Sequence, residues 1–178
     1  AWEDIHHVVI IPNYVEPIEI LRRTLNQLKI QYKATEQLTV ILAMEGGDPD
    51  SLQKAEQLEK EYAQDFADIY YTIHPRGLIG EMQCKSANQS WAARWYITQI
   101  VAKQGLNIDN IVVTTMDADT RWHMKYFEAL TYHFATNPNR HLNFWQAPIR
   151  YHGNIWQVNP LMRIVNTYAT AFELAYLA

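Results

Sequence analysis

The chain alternates between short apolar runs rich in β-branched residues and longer stretches in which apolar residues recur at helical spacing. Runs of the first kind predict strands covered on both faces of a sheet, and spacing of the second kind predicts amphipathic helices. The predicted strands comprise residues 7–12, 38–44, 68–73, 111–116 and 144–149. The predicted helices begin near residues 16, 50, 85, 124 and 160, so that helices separate the strands along the chain.

This order of elements predicts an α/β fold with a mainly parallel central sheet, right-handed crossovers and helices on both faces. The length of 178 residues suits a single domain, residues 1–178, and 48% hydrophobic with 19% charged residues is ordinary for a folded protein. The chain starts without a methionine and stops inside a predicted helix. We therefore expect a C-terminally truncated fragment of a longer protein.

Charge and cysteine content exclude several classes of partner and location. A net charge of -4 without a long basic block argues against nucleic acid, because phosphate binding needs clustered Lys and Arg. The one cysteine, Cys84, excludes an internal disulfide and fits a reducing compartment. No uninterrupted apolar stretch is long enough to span a bilayer. We expect a cytoplasmic location.

Two carboxylates, Asp117 and Asp119, come directly after the predicted strand 111–116. Side chains at i and i+2 of an extended chain point to the same side, so both acids can face one cation at the carboxyl end of the strand. One or two carboxylates completed by substrate phosphates are a usual arrangement for Mg²⁺ or Mn²⁺. The alternative is a solvated acidic turn, which short motifs of this kind also form.

Acidic side chains also follow two other predicted strands. Glu16 lies in the loop after the first strand and Glu45 in the loop after the second. In a parallel sheet these loops and the loop that carries Asp117 and Asp119 open on the same edge, where α/β sheets bind ligands. Independent turns do not require this agreement, so the pattern favours a shared site.

The motifs occur in an order that resembles the family 2 glycosyltransferases, nucleotide-sugar enzymes of the Rossmann-like GT-A fold. The resemblance runs along roughly the whole chain, and several elements in order are more specific than any one of them. The elements are Val9-Ile10-Ile11-Pro12-Asn13-Tyr14-Val15-Glu16-Pro17, Met44-Glu45-Gly46-Gly47-Asp48, Gly80, Lys85-Ser86-Ala87-Asn88 and Asp117-Ala118-Asp119.

The resemblance implies a nucleoside site built from the first two loops. Pro12, Tyr14 and Glu16 would lie beside the nucleoside, with Tyr14 against the base and Glu16 accepting hydrogen bonds from ribose hydroxyls. Glu45 stands where the family usually has an aspartate that contacts the edge of the base. The substitution keeps the carboxylate and lengthens its reach.

The resemblance also implies a diphosphate and metal site. Lys85 would lie near the phosphates, Asp117 near the ribose or donor sugar, and Asp119 would ligate Mg²⁺ or Mn²⁺. His74 and Arg76, in a predicted loop, either face the diphosphate or lie in solvent, and we expect solvent.

The implied activity is inverting transfer of a sugar from a nucleoside-diphosphate sugar to an acceptor hydroxyl, on a saccharide or a lipid. A general base is required, but the only acids after Asp119 are Glu128 and Glu173, and neither matches the family's base motif. The catalytic residue is therefore unknown, and we expect the chain to supply the donor-binding half of the enzyme. Residues 146–148 and 154–157 resemble membrane synthases, which implies a parent protein at the cytoplasmic face of a membrane.

Two other functions remain as alternatives. A nucleotidyltransferase also binds a metal and a nucleotide on an α/β sheet, but it favours a glycine-rich loop after the first strand. This chain has Asn13-Tyr14-Val15-Glu16 there. A non-catalytic nucleotide-binding or scaffold domain would need none of the acids for chemistry.

Overall fold

The computed structural model of the chain describes residues 2–147, 156 and 158–177. The chain forms two compact units, Ala1–Arg140 and His141–Ala178. The prediction that residues 1–178 form one domain stays a prediction.

A four-stranded parallel sheet occupies the centre of the first unit. Its strands lie in the order β3-β2-β1-β4, and every neighbouring pair is parallel. The strands are β1 (His6–Asn13), β2 (Leu38–Glu45), β3 (Asp68–His74) and β4 (Ile111–Thr115). The sheet confirms the predicted α/β fold class, since helices connect the strands as expected.

All five predicted helices are present. Helix α4 continues through a π-helical segment, Ile97–Val101, into α5, so the helix predicted to begin near residue 85 is continuous to Gln104 but not uniformly α. The helices are α1 (Ile18–Leu28), α2 (Ala34–Gln37), α3 (Ser51–Tyr62), α4 (Lys85–Tyr96), α5 (Ala102–Gln104), α6 (Tyr126–Thr136) and, in the second unit, α7 (Pro160–Leu177).

Helices cover both faces of the sheet. Val8 and Ile10 of β1 belong to a buried cluster with Ala92 and Tyr96 of α4. Successive strand residues point to opposite faces, so His7 lies on the other side. Its ring contacts α6, where Nε2 is 2.7 Å from Thr131 Oγ1. The central strands are therefore buried on both faces, which explains their nearly continuous apolar sequence.

The predicted strand at residues 144–149 is wrong for residues 144–147, which form no strand, and residues 148–149 lie outside the described residues. Phe144 is fully exposed. An apolar run alone does not make a strand where no neighbouring strand pairs with it. No helix within the described ranges combines the length and apolar character that a bilayer span requires.

Candidate functional site

A cleft lies at the carboxyl end of the sheet, at the point where the strand order reverses. The chain passes from β1 to β2 and β3 on one side and then returns to β4 on the other side of β1. Ligands of open α/β sheets bind at such a switch point. The cleft has a volume of about 680 Å³ and is lined by Pro12, Asn13, Tyr14, Glu16, Ile20, Glu45, Gln83, Cys84, Lys85, Asn88, Asp117, Ala118 and Asp119.

Every residue that the sequence predicts for the nucleotide-sugar and metal site lines this one cleft. The residues come from the ends of β1, β2 and β4 and from the start of α4. The structure thus brings together side chains that are far apart in sequence, from Pro12 to Asp119.

A tight turn presents Asp117 and Asp119 to the cleft. The Thr120 amide donates to the carbonyl of Asp117 at 3.1 Å, and the Asp117 amide donates to Thr120 Oγ1 at 3.2 Å. Between the acids, Ala118 is buried and its carbonyl accepts a hydrogen bond from Thr24 Oγ1 of α1. Because Ala118 points inward, both acids point outward. The segment is the turn that the sequence allowed as an alternative, and its two acids also line the cleft.

Lys85 and Asp117 form an ion pair across the cleft between α4 and the loop after β4. Both side chains are at least half exposed, at 51% and 65%. Asp119 has no ion-pair partner among the residues that the structure describes, and it is exposed. The two acids therefore differ, since Asp117 already has a cationic partner and Asp119 remains available to a cation.

The start of α4 adds a further favourable feature for anions. The backbone amides there have no helical partners and, with the helix dipole, attract negative charge. The hydroxyl of Ser86 and, to a smaller degree, the Ala87 amide lower the pKa of the Cys84 thiol below its usual value. The sequence predicted the helix and Lys85 but not the role of its first turn.

Glu16 folds back on its own loop. Its Oε2 atom accepts a hydrogen bond from the Tyr14 amide at 2.8 Å and from Asn13 Nδ2 at 3.0 Å. Lys54 of α3 donates to the Glu16 carbonyl at 3.2 Å. These bonds fix the loop after β1 and leave Oε1 of Glu16 outside the network.

Arg76 joins the loops that follow β1 and β2. Its Nη2 atom donates to the Tyr14 hydroxyl at 3.3 Å and to the Gly47 carbonyl at 2.9 Å. The guanidinium is exposed, which agrees with the expectation of a solvent position. It also holds the Tyr14 ring, which is 46% exposed, at the wall of the cleft.

The expectation that His74 lies in solvent is wrong. His74 is the last residue of β3, pairs with Glu45 in the register of the sheet, and is only 2% exposed. Its Nδ1 atom lies 3.2 and 3.3 Å from the two carboxylate oxygens of Glu45. Strand β3 extends beyond its apolar residues because the polar contact between His74 and Glu45 takes the place of an apolar contact at the ends of β2 and β3.

Asn13 and Asn88 are buried polar residues of the cleft for which the sequence offered no specific role. Asn88 donates through Nδ2 to the Ala43 carbonyl at 2.7 Å, and Asn13 Nδ2 donates to Glu16. The Oδ1 atom of each has no hydrogen-bond partner within the described part of the chain. Their positions, directly at the end of β1 and one turn into α4, were the only sequence signal that placed them near the site.

No group of three or more His, Cys, Asp or Glu side chains in the described part of the chain is arranged to hold a metal ion.

A scan against protein-family models matched none, and a search of curated proteins found no match. The resemblance to family 2 glycosyltransferases stays a prediction that rests on the motifs of the chain.

Proposed function

We propose that this chain binds a nucleoside-diphosphate sugar together with a divalent cation, and supplies the donor-binding half of an inverting glycosyltransferase. The observation that supports the proposal most is the common cleft: the residues of the sequence motifs line one pocket at the switch point of a parallel sheet. An accidental set of acidic turns would not need to converge in this way.

The diphosphate would lie between the loop after β4 and the start of α4. Asp119 would hold Mg²⁺ or Mn²⁺, whose remaining ligands are phosphate oxygens and water, because a single exposed oxygen donor suits a hard cation that keeps most of its shell. When bound, the cation stabilises the charge on the departing diphosphate as a Lewis acid. Lys85 and the first amides of α4 would attract the phosphates, with Asp117 holding the ammonium in place beforehand.

The nucleoside would lie against the loop after β1. Tyr14 offers a ring that Arg76 holds in place, and Pro12 lines the cleft beside it. Oε1 of Glu16 is available to ribose hydroxyls because the loop amide and Asn13 use only Oε2. The fixed loop reduces the ordering cost of binding.

The acceptor half of the site is not assigned. Glu128 lies on α6 and is not among the residues that line the cleft, and Glu173 lies on α7 in the second unit. We expect the chain alone to bind nucleotide and to transfer sugar poorly or not at all. We further propose a cytoplasmic location, with the acceptor, a saccharide or a lipid, bound by a parent protein at the cytoplasmic face of a membrane.

The test is titration calorimetry with uridine and guanosine diphosphates, with and without Mn²⁺. We expect binding of a nucleotide that Mn²⁺ strengthens, and we expect Asp119→Asn to weaken the Mn²⁺-dependent binding by at least about tenfold, or about 1.4 kcal/mol. Asp109→Asn is the matched control, because Asp109 is exposed in the 3-10 helix Ile108–Asn110 before β4, at the opposite end of the strand.

Three results would contradict the proposal. Absence of binding to either nucleotide, with or without Mn²⁺, would favour a scaffold function. Binding that neither Mn²⁺ nor Asp119→Asn changes would remove the metal from the proposal. Release of pyrophosphate from a nucleoside triphosphate and a sugar phosphate would instead identify a nucleotidyltransferase.

A further inference from the structure

The topology places Glu45 at the end of the cleft away from the metal. β2 and β4 lie on opposite sides of β1, so their carboxyl ends are two strand spacings, or about 10 Å, apart. Glu45 ends β2, and Asp117 and Asp119 follow β4. If the proposed function holds and the diphosphate lies by Asp119, the part of the ligand that reaches Glu45 is the nucleobase.

The carboxylate of Glu45 is fixed before any ligand binds. Nδ1 of His74 contacts both of its oxygens, at 3.2 and 3.3 Å, and the two residues are 2% and 7% exposed. The ring of Trp91 lies against His74, with centroids 5.7 Å apart. An ionised carboxylate only accepts hydrogen bonds, so the base edge that meets Glu45 must donate.

The other buried polar side chains of the cleft, Asn13 and Asn88, offer free acceptor oxygens. Each Nδ2 atom already donates a hydrogen bond within the protein, whereas neither Oδ1 atom has a hydrogen-bond partner among the described residues. Among the buried side chains that line the cleft in the described ranges, none therefore presents a free cationic or hydroxyl donor to a base carbonyl.

The nucleobases differ in what they present to such an edge. Guanine has two adjacent donors, N1–H and the 2-amino group, which match the two oxygens of a carboxylate. Uracil has one N–H flanked by two carbonyl oxygens. Beside a carboxylate these carbonyl oxygens would lose their hydration and find no hydrogen-bond donor in return. We propose that this cleft selects guanine through Glu45, and that the donor substrate is a guanosine-diphosphate sugar.

The first test compares three nucleotides on the unaltered protein by titration calorimetry with Mn²⁺. We expect guanosine diphosphate to bind at least about tenfold more tightly than uridine diphosphate, because a bidentate contact distinguishes bases to about that degree. Inosine diphosphate keeps N1–H but lacks the 2-amino group, so we expect intermediate affinity. Uridine diphosphate binding as tightly as guanosine diphosphate, or inosine diphosphate binding equally well, would overturn the assignment.

The second test changes the carboxylate. Glu45→Gln replaces one acceptor oxygen with a donor, so we expect the ratio of guanosine to uridine affinities to fall by at least about fivefold. Glu81→Gln is the matched control: Glu81 Oε2 lies 3.7 Å from the other nitrogen of His74, but Glu81 does not line the cleft, so the ratio should not change. The ratio is measured within each variant, so a moderate loss of stability does not affect it. An unchanged ratio in Glu45→Gln would overturn the role of Glu45.

The two proposals fail in different ways. If no nucleotide binds, the proposed function and this inference fall together. If uridine diphosphate binds more tightly and Asp119→Asn weakens it, the proposed function stands and only the choice of base is overturned.

Discussion

At the scale of single residues, His7 shows how burial sets the charge of a side chain. Desolvation, with a smaller effect from His6, lowers the pKa of His7 from its ordinary value to about 4. Thr131 Oγ1 donates to the Phe127 carbonyl at 2.7 Å and so accepts from His7 Nε2. The folded state therefore holds His7 neutral, and the unfolded chain binds more protons below its ordinary pKa.

We predict that this residue makes stability fall as the pH falls. The contribution is fully present above the unfolded pKa of about 6.5, and between about pH 7.5 and about pH 5 the loss is about 2 kcal/mol. His7→Gln keeps a donor for Thr131 but does not titrate, so the free energy of unfolding of the variant should lack this part of the pH dependence. Urea denaturation at both pH values measures the difference, and parallel pH profiles for the two proteins would contradict the prediction.

The site residues on loops after strands were predictable, whereas their buried partners were not. An acid next to a strand end is visible locally, as for Glu16, Glu45 and Asp119. The contact between Glu45 and His74 depends on the register between β2 and β3, which places residues 29 positions apart side by side. For this reason His74, which the sequence places in a polar loop, is a buried strand residue in the structure.

At the scale of elements, the ends of β2 and β3 meet closely at Gly46. Its amide donates to the His74 carbonyl at 2.8 Å, and a Cβ atom on Gly46 would lie 2.9 Å from that oxygen. The neighbouring Gly47 faces only the side chain of Arg76, which is exposed and can move.

We predict that these adjacent glycines respond differently to the same substitution. In Gly46→Ala, the added Cβ pushes the backbone at Gly46 away from the His74 carbonyl. The substitution should lower the free energy of unfolding by about 1–3 kcal/mol, the usual cost of overpacking. Gly47→Ala displaces a surface guanidinium and should cost less than about 1 kcal/mol. Chemical denaturation of both variants gives the comparison. Equal losses of unfolding free energy would show that the close contact between Gly46 and the His74 carbonyl does not restrict the residue at this position.

Element types followed from periodicity more reliably than element limits did. Buried β1 and β2 have continuous apolar sequences and lie where predicted, since central strands need apolar residues on both faces. The π-helical segment Ile97–Val101 was not predictable, because one extra residue per turn leaves little trace in an apolar pattern. Residues 144–147 show that an apolar run needs a pairing strand, which local sequence does not supply.

At the scale of the whole molecule, the core and the cleft belong to the first unit. Every buried apolar residue of the described chain lies between Ile5 and Phe134, and every residue that lines the cleft lies between Pro12 and Asp119. In the second unit, α7 carries several exposed apolar side chains, including Leu161, Tyr168 and Phe172. The alternation of strands and helices predicted the parallel sheet, but it did not predict that the buried apolar residues of the described chain all lie in the first unit.

We predict that a chain ending at Arg140 folds and binds nucleotide as the full chain does. The strands, α1 to α6 and the candidate site are all retained, so the free energy of unfolding should change by less than about 1 kcal/mol and the nucleotide affinity by less than about threefold. Urea denaturation and titration calorimetry on the two chains test this, with Asp119→Asn in the shorter chain as the control for the site. Loss of cooperative unfolding, or loss of binding in a chain that still folds, would mean that residues after Arg140 take part in the core or in the cleft.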